Sequence, residues 1–279
     1  MLGVKKFFAI SFIFLVFIIS YVPSAKSDSQ LERLVRTTSA KFLGRPYILD
    51  ALGEGQGAIK DSDPLYRTDA FDCLTFVETV LAHTISQEGA SRAEIENTLS
   101  TIRYRDGAVS FENRHHFQYP DWTTGNQKLL TDTTIDLAKS INAKTATSTI
   151  NLCRKNWFKK SHNVELSSSY KNTAECEDVT ITYIPFSELE QHIQKLETIQ
   201  TTPLVFMTVI NDPTLPEKIG TEYNISHTGF IIPSSGKIYI RHASVIAKKV
   251  VDSNFLSYIQ KLQKNKKYLG FAFLKLNNI

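Results

Sequence analysis

The order in which helical and strand patterns follow one another most constrains the fold of this chain. The segment Phe71 to Ile85 illustrates the helical pattern of the first half, because its apolar residues recur at the spacing of one helix face. The last third holds β-rich runs separated by proline and Ser-Gly turns. These runs are Leu204 to Ile210, Ile225 to Ile232, Lys237 to Ala243 and Leu269 to Leu276. Helices first and antiparallel strands last predict an α+β fold, with helices packed on an antiparallel sheet.

The polar stretch 127–200 interrupts this order. It contains a strand pattern at Val179 to Ile184 and a helix pattern at Phe186 to Leu196. We interpret the whole stretch as a helical insertion that decorates the core. No break in composition divides residues 28–279, so a single domain is predicted.

The first 27 residues have the layout of a secretory signal peptide. Lys5 and Lys6 precede an uncharged run from Phe7 to Val22, and small residues follow near Ala25 and Ser27, where cleavage is predicted. The uncharged run is shorter than the roughly 20 residues that cross a bilayer, although a retained membrane anchor has the same pattern. The prediction is an exported bacterial protein, periplasmic or secreted, with no stable membrane anchor after cleavage.

Charge and cysteine content exclude several classes of protein. The formal net charge is +4, and much of it lies in the predicted signal peptide, so residues 28–279 show no signature of nucleic-acid binding. Three cysteines are too few for a disulfide scaffold. Cys153 and Cys176 lie in a polar region and are predicted to pair in an oxidising compartment. Cys73 then remains, either as a small buried apolar residue or as a reactive thiol.

Two histidines become neighbours if the runs Ile225 to Ile232 and Lys237 to Ala243 form a hairpin. A turn centred in the Pro-Ser-Ser-Gly sequence between them places His227 directly opposite His242 on one face. Gly229 lies beside His227 and leaves room for another group. The alternative is that both histidines are ordinary strand residues, and a loop of odd length would destroy the alignment.

Cys73 supplies a third chemical group. It lies at the start of a predicted helix, with Asp69 or Asp72 as the N-cap. Backbone donors and the helix dipole at such a position are expected to lower the pKa of the thiol. A nucleophilic thiol needs a base and a group that orients the base, and His227 and His242 can fill these roles.

Four short motifs occur in a fixed order along the chain. They are Gly44-Arg45-Pro46-Tyr47, Asp72-Cys73-Leu74-Thr75-Phe76, Ser226-His227-Thr228-Gly229-Phe230 and Arg241-His242-Ala243-Ser244. In residue type, order and spacing they resemble the NlpC-type superfamily of papain-like cell-wall cysteine hydrolases. The resemblance implies a papain-like NlpC-type α+β fold.

Two further segments are similar to one branch of that superfamily. Leu74-Thr75-Phe76-Val77-Glu78 stands where ordinary NlpC peptidases have a Ser-Gly-Phe run, and Asn113-Arg114-His115-His116-Phe117 is followed by Asp121-Trp122 and Asn126. Both resemble the amidase-like branch, which cleaves N-acetylmuramoyl-L-alanine bonds.

The resemblance implies roles for individual residues. Cys73 is implied as the nucleophile, His227 as the general base and His242 as its orienting partner. The implied substrate-binding residues are Tyr47, Asp72, Arg114, His116 and Trp122. Structural alternatives stay open: Asp72 as a helix cap only, Arg114 and His116 as supports of a loop, and Trp122 as a packing anchor.

A metal site is not predicted. The adjacent His115 and His116 are compatible with zinc, but no His-Glu-x-x-His helix accompanies them. We therefore expect no metal and no cofactor.

The function that follows is hydrolysis of peptidoglycan or soluble muropeptides by an N-acetylmuramoyl-L-alanine amidase with a Cys-His-His set. A gamma-D-glutamyl-diamino-acid endopeptidase of the same superfamily would use the same three residues. A non-catalytic cell-wall binding module would need only the fold, and the intact Cys-His-His set argues against it. The sequence leaves the oligomeric state open.

Overall fold

The computed structural model describes residues 28–86, 88–162 and 176–278. Its helices are α1 (Asp28–Lys41), α2 (Cys73–Ile85), α3 (Arg92–Arg103), α4 (Thr123–Gly125), α5 (Thr134–Ile141), α6 (Arg154–His162), α7 (Phe186–Gln191), α8 (Ile193–Ile199), α9 (Leu215–Ile219) and α10 (Phe255–Gln263). Its strands are β1 (Leu130–Asp132), β2 (Ala146–Leu152), β3 (Glu177–Pro185), β4 (Leu204–Ile210), β5 (Ile225–Ser234), β6 (Lys237–Ser244), β7 (Lys249–Asn254) and β8 (Tyr268–Leu276). The predicted signal peptide lies outside the described residues. Among the helices just given, none has the length and apolar character needed to cross a membrane.

The strands of the described chain form one sheet in which every pairing is antiparallel, and the predicted α+β class is confirmed. Its order is β2-β3-β8-β4-β5-β6-β7, and β1 also pairs with β8. The strand β4 is buried at every residue, because it lies inside the sheet with helices over both of its faces.

Successive residues of β4 enter two separate cores, one on each face of the sheet. Met207 packs in a cluster with Phe76 of α2, whereas Phe206 packs in another with Phe255 of α10. A one-residue slip of any central strand would exchange these faces and is therefore strongly disfavoured. This constraint on register is what positions the side chains of β5 and β6.

The stretch 127–200 is not a helical insertion, and that prediction is wrong. It contains β2 and β3, which pair along the full length of β2, and β3 joins β8 through Ile184 and Pro185. The strand pattern at Val179 to Ile184 is confirmed. The helix pattern from Phe186 to Leu196 is confirmed in part, because His192 divides it into α7 and α8. The strand β2 gave no clear apolar signal, because it is an edge strand whose residues before Ile150 are Ala, Thr and Ser and stay largely solvent-exposed.

The β5–β6 hairpin turns one residue later than predicted. Its turn is Ser235-Gly236, and both residues have positive φ, 49° and 72°, as a two-residue turn of type I′ requires. Ser234 therefore pairs with Lys237, and the expectation that His227 lies directly opposite His242 is wrong. The partner shifts by two residues, an even number, so the two histidines stay on one face and become diagonal neighbours.

A disulfide joins Cys153 to Cys176, as predicted. Cys153 follows β2 and Cys176 precedes β3, so the bond fastens the ends of the outermost pair of strands. Cys73 remains a thiol.

Replacing Cys153 and Cys176 with serine should lower the free energy of unfolding by about 3 kcal/mol, because a loop of this length is then unconstrained in the unfolded chain. Equilibrium urea unfolding of the oxidised protein and of the double variant measures the difference. Alkylation after unfolding without reductant should label Cys73 alone. Labelling of all three cysteines would contradict the pairing.

Candidate active site

Cys73 is the first residue of α2, and Asp72 caps that helix. Asp72 Oδ1 accepts hydrogen bonds from the backbone N–H groups of Leu74 and Thr75, both at 2.9 Å. Thr75 Oγ1 accepts in return from the N–H of Asp72 at 3.0 Å, and Asp72 Oδ2 accepts from the N–H of Ala51 at 3.3 Å. The predicted cap at Asp72 is confirmed, and the cap fixes the point at which the thiol leaves the helix.

The thiol of Cys73 lies against β5 and is partly exposed. Burial raises its pKa to about 12, and the Asp72 carboxylate adds to the rise, while the N–H groups of Thr228, Leu74 and Cys73 favour the thiolate. The expected lowering of this pKa is wrong, because desolvation and the neighbouring carboxylate outweigh the helix end. At neutral pH the thiol is protonated.

A bulge in β5 positions His227. Thr208 pairs with His227, whereas the next residue of β4 pairs with Ile225, so Ser226 is an extra residue in β5. A bulge turns the side chains beside it. With its side chain turned in this way, His227 places Nε2 2.7 Å from His242 Nδ1.

His242 depends on the close approach of β5 and β6. A Cβ atom at Gly229 would lie 2.8 Å from His242 Cβ and 2.7 Å from the carbonyl oxygen of Arg241, so only glycine fits. On its other side, His242 Nε2 is 3.3 Å from Ser253 Oγ, and the ring packs edge-on against Tyr258 with centroids 5.2 Å apart. Sequence reasoning missed Ser253 and Tyr258, because neither belongs to a motif and both come from elements later in the chain.

The two imidazoles and Ser253 form a hydrogen-bonded chain. Burial lowers the pKa of His227 to about 3 and that of His242 to about 4, so both rings are neutral at pH 7. With the proton of each ring on Nε2, His227 donates to His242 and His242 donates to Ser253. We assign these tautomers because they leave Nδ1 of His227 unprotonated and able to accept a proton from a thiol.

Tyr47 lies near Cys73. Its N–H donates to the carbonyl oxygen of Lys248 at 2.9 Å, and the N–H of the next residue donates to that of Phe71 at 3.0 Å, so this segment joins the β6–β7 turn to the start of α2. Burial raises the pKa of Tyr47 to about 12, and electrostatic interactions with Cys73 and Asp72 contribute to the rise. Its contact with substrate stays a prediction.

The guanidinium of Arg114 is bound by carboxylates of the protein itself. Nε donates to Glu54 Oε1 at 2.8 Å, and Nη2 donates to Asp61 Oδ2 at 2.7 Å. These carboxylates take the donors that a substrate carboxylate would need, so the contacts favour the structural alternative, in which Arg114 fixes the loop that carries Glu54 and Asp61. Its role in substrate binding stays a prediction.

His116 and Trp122 are packed among other side chains. His116 Nε2 is 2.6 Å from the carbonyl oxygen of Phe111, and its ring lies between those of Phe111 and Trp157. Trp122 is 0% exposed. No face of its indole is available to stack on a sugar, so the structure contradicts that role and supports the packing alternative.

A cavity of about 510 Å³ opens beside the two histidines. Its walls come from the ends of β4 and β5, from β6 and β7 with the turn that joins them, and from α10. Ser253, Ser257, Tyr258 and Lys261 are among the residues that line it.

A family model described as AmiA-like, N-acetylmuramoyl-L-alanine amidase-like, matches residues 37–266, a span that includes Cys73, His227 and His242. The chain belongs to this AmiA-like family. At the level of the family, it is an amidase-like hydrolase of peptidoglycan. No curated protein matches the chain.

Solved structures share the fold of this AmiA-like chain. A Legionella pneumophila protein assigned to a family of unknown function is 27% identical with a TM-score of 0.76, over 89% of this chain and 94% of the other. A Bacteroides uniformis protein named as an N-acetylmuramoyl-L-alanine amidase is 21% identical with a TM-score of 0.65, over 89% of this chain and 100% of the other. The likeness therefore extends over the architecture and is not confined to a motif.

Stability should fall in acid because of the two buried histidines. In the unfolded chain a histidine binds a proton below about pH 6.5, whereas His227 and His242 resist protonation in the fold down to about 3 and about 4. The unfolded state then binds more protons, so the free energy of unfolding falls as pH falls from 6.5 to 4, by up to about 1.4 kcal/mol per pH unit for each ring. Urea unfolding across this range should show a shallower slope for His242→Gln. Equal slopes would contradict the lowered pKa values.

Proposed function

We propose that this chain is an exported N-acetylmuramoyl-L-alanine amidase of papain-like NlpC-type fold, in which Cys73 is the nucleophile, His227 the general base and His242 its orienting partner. One observation carries the proposal: the thiol at the start of α2 lies against β5, where a neutral His227 is held through Nε2 by His242. Membership of the AmiA-like family supports the choice of bond. The proposed reaction uses no metal and no cofactor.

The first half of the reaction forms a thioester. Cys73 Sγ attacks the carbonyl carbon of the lactyl group on N-acetylmuramic acid, and the thiol proton moves to His227 Nδ1. The backbone N–H groups near the start of α2 stabilise the oxyanion. As the C–N bond breaks, the His227 imidazolium gives its proton to the departing amine of L-alanine.

The second half restores the thiol. His227 removes a proton from water, and the resulting hydroxide attacks the thioester carbonyl. The C–S bond breaks and the proton held by His227 returns to the sulfur of Cys73. The muramic acid leaves as its carboxylic acid, which then loses its proton to solvent. Throughout, the hydrogen bond to His242 holds the imidazole in the tautomer that the proton transfers require.

The high pKa of the resting thiol determines how attack begins. Because Cys73 and His227 are both neutral at pH 7, proton transfer must accompany attack on the carbonyl. A preformed thiolate and imidazolium pair is not needed for this chemistry.

The endopeptidase alternative would require recognition of the free amine of L-alanine, and Asp72 is the carboxylate nearest to the nucleophile along the chain. Both oxygens of Asp72 already accept hydrogen bonds from backbone N–H groups. These contacts give Asp72 a structural use and favour the amidase. A non-catalytic binding module would have no use for a hydrogen-bonded histidine pair beside a thiol.

Cys73→Ala should abolish hydrolysis of peptidoglycan fragments, with a loss of at least about 10⁴-fold in kcat, because no other group can form the thioester. The assay is release of soluble fragments at fixed enzyme concentration, with circular dichroism to verify the fold. The double variant Cys153→Ser with Cys176→Ser is the matched control and should keep its activity. Retention of most activity by Cys73→Ala, or loss of activity on metal chelation, would overturn the assignment.

The bond that is cleaved should be the amide between N-acetylmuramic acid and L-alanine. Mass spectrometry of the products from a disaccharide tetrapeptide identifies it. The amidase releases the disaccharide and an intact peptide that begins with L-alanine. A disaccharide that still carries L-alanine and D-glutamate would show the endopeptidase, and an unchanged substrate would support the binding module.

A further inference from the structure

We infer that the cavity beside His227 and His242 holds the leaving peptide, and that Lys261 in its wall binds a free carboxylate of that peptide. The inference rests on the proposed function and names the part of the substrate that this cavity recognises.

The position of the cavity selects the leaving side of the reaction. Its walls include both histidines but not Cys73. In acyl transfer the acyl group becomes bonded to the sulfur, whereas the leaving amine must lie within reach of the imidazolium that protonates it. A space on the histidine side of the thiol therefore accepts the leaving group, which in an amidase is the peptide.

The lining of the cavity suits an anionic ligand. The residues that line it include four serines, Ser226, Ser244, Ser253 and Ser257, and none of the described lining residues is Asp or Glu. The histidines are neutral at pH 7, because burial lowers their pKa values. Among the lining residues that the structure describes, Lys261 is thus the one with a formal charge.

The nearest carboxylate on β7 does not cancel this charge. Asp252 lies between Val251 and Ser253, which both line the cavity, so its side chain points to the opposite face of the strand. There, Arg241 binds it through two hydrogen bonds of 2.7 Å. A carboxylate from the ligand would therefore meet Lys261 without competition from Asp252.

Helix α10 carries both Tyr258, which contacts His242, and Lys261. Tyr258 packs on the ring of His242, and Lys261 follows almost one turn later on the same face, about 4.5 Å along the helix axis. One residue of extended peptide spans about 3.5 Å. Because this rise is close to the length of one peptide residue, we pair Lys261 with a carboxylate on the second residue of a peptide whose amine is at His227. In a stem peptide that second residue is D-glutamate, linked through its side chain and bearing a free α-carboxylate.

A sugar is the competing occupant, because hydroxyl and tyrosine side chains also bind carbohydrates. Within the described part of the chain, the lining holds the cation of Lys261 and no acid, which favours the peptide, since the disaccharide beyond the lactyl group carries no charge.

Isothermal titration with the peptide L-alanyl-γ-D-glutamyl-diaminopimelate tests the inference on a Cys73→Ala background, which prevents any turnover. Adding Lys261→Met should weaken binding about tenfold, as expected for loss of a charge-assisted hydrogen bond at the rim of a cavity. The matched control is Lys264→Met. Lys264 is exposed and lies three residues further along the chain, outside the cavity, so this variant should bind the peptide as the background does.

A second peptide identifies the group that Lys261 contacts. Amidation of the α-carboxylate of D-glutamate should weaken binding to the Cys73→Ala background about tenfold and should have no further effect once Lys261→Met is present. Equal affinities for the two peptides in the presence of Lys261, or no measurable binding of either, would overturn the inference. Tight binding of the peptide-free disaccharide that depends on Lys261 would also overturn it, in favour of a sugar site.

These outcomes are separate from those of the proposed function. The titration reports binding alone, and product analysis with the wild-type enzyme reports the bond that is cleaved. If the peptide binds through Lys261 but the amide to L-alanine is not hydrolysed, the proposed function fails and the peptide site stands. If the amide is hydrolysed but Lys261→Met binds the peptide normally, the function stands and the site is wrong.

Discussion

The hydrogen bond between His227 and His242 is the interaction on which the rest of the candidate site depends. A contact of 2.7 Å between two ring nitrogens requires both rings to be held in place. The bulge at Ser226 turns one ring, and the close strand approach at Gly229 admits the other. Both features require the strands to keep their register, which two apolar faces enforce. The register of the buried sheet therefore holds the two imidazoles in one tautomeric arrangement.

Two arginines, Arg103 and Arg114, hold the irregular segment between α1 and α2 against the site. Arg103 lies 3.1 Å from Glu78 and donates to the carbonyl oxygen of Leu52 at 3.0 Å. Arg114 binds Glu54 and Asp61, which lie further along the same segment. Removing one member of such a pair leaves a buried charge without its partner, which costs far more than the pair contributes. This segment, through Ala51, also contacts Asp72, so the same ion pairs support the start of α2.

The α+β class, the helix cap at Asp72, the disulfide and the neighbourhood of the two histidines could be predicted, because each depends on local pattern. The predicted register of the hairpin was wrong by one turn position. A turn at Ser234-Ser235 and a turn at Ser235-Gly236 are both compatible with the strand patterns, and only the backbone φ angles decide between them. The prediction that Trp122 binds substrate was wrong for a different reason. An aromatic side chain suits a sugar and a core equally well, and its burial depends on tertiary packing that no local signal records. The predicted lowering of the Cys73 pKa was wrong for a similar reason, because desolvation of the thiol depends on the assembled site.

The carboxylate of Asp72 has a consequence for the chemical lifetime of the protein. Oxidation of cysteine by peroxide and exchange with disulfides both proceed through the thiolate, and their rates follow its population. Asp72 caps the helix with a negative charge, and this charge raises the pKa of Cys73. The sulfur therefore stays protonated until a substrate carbonyl binds. The resting thiol is then a poor target for oxidants, and the group that fixes its position also preserves it in its reduced form.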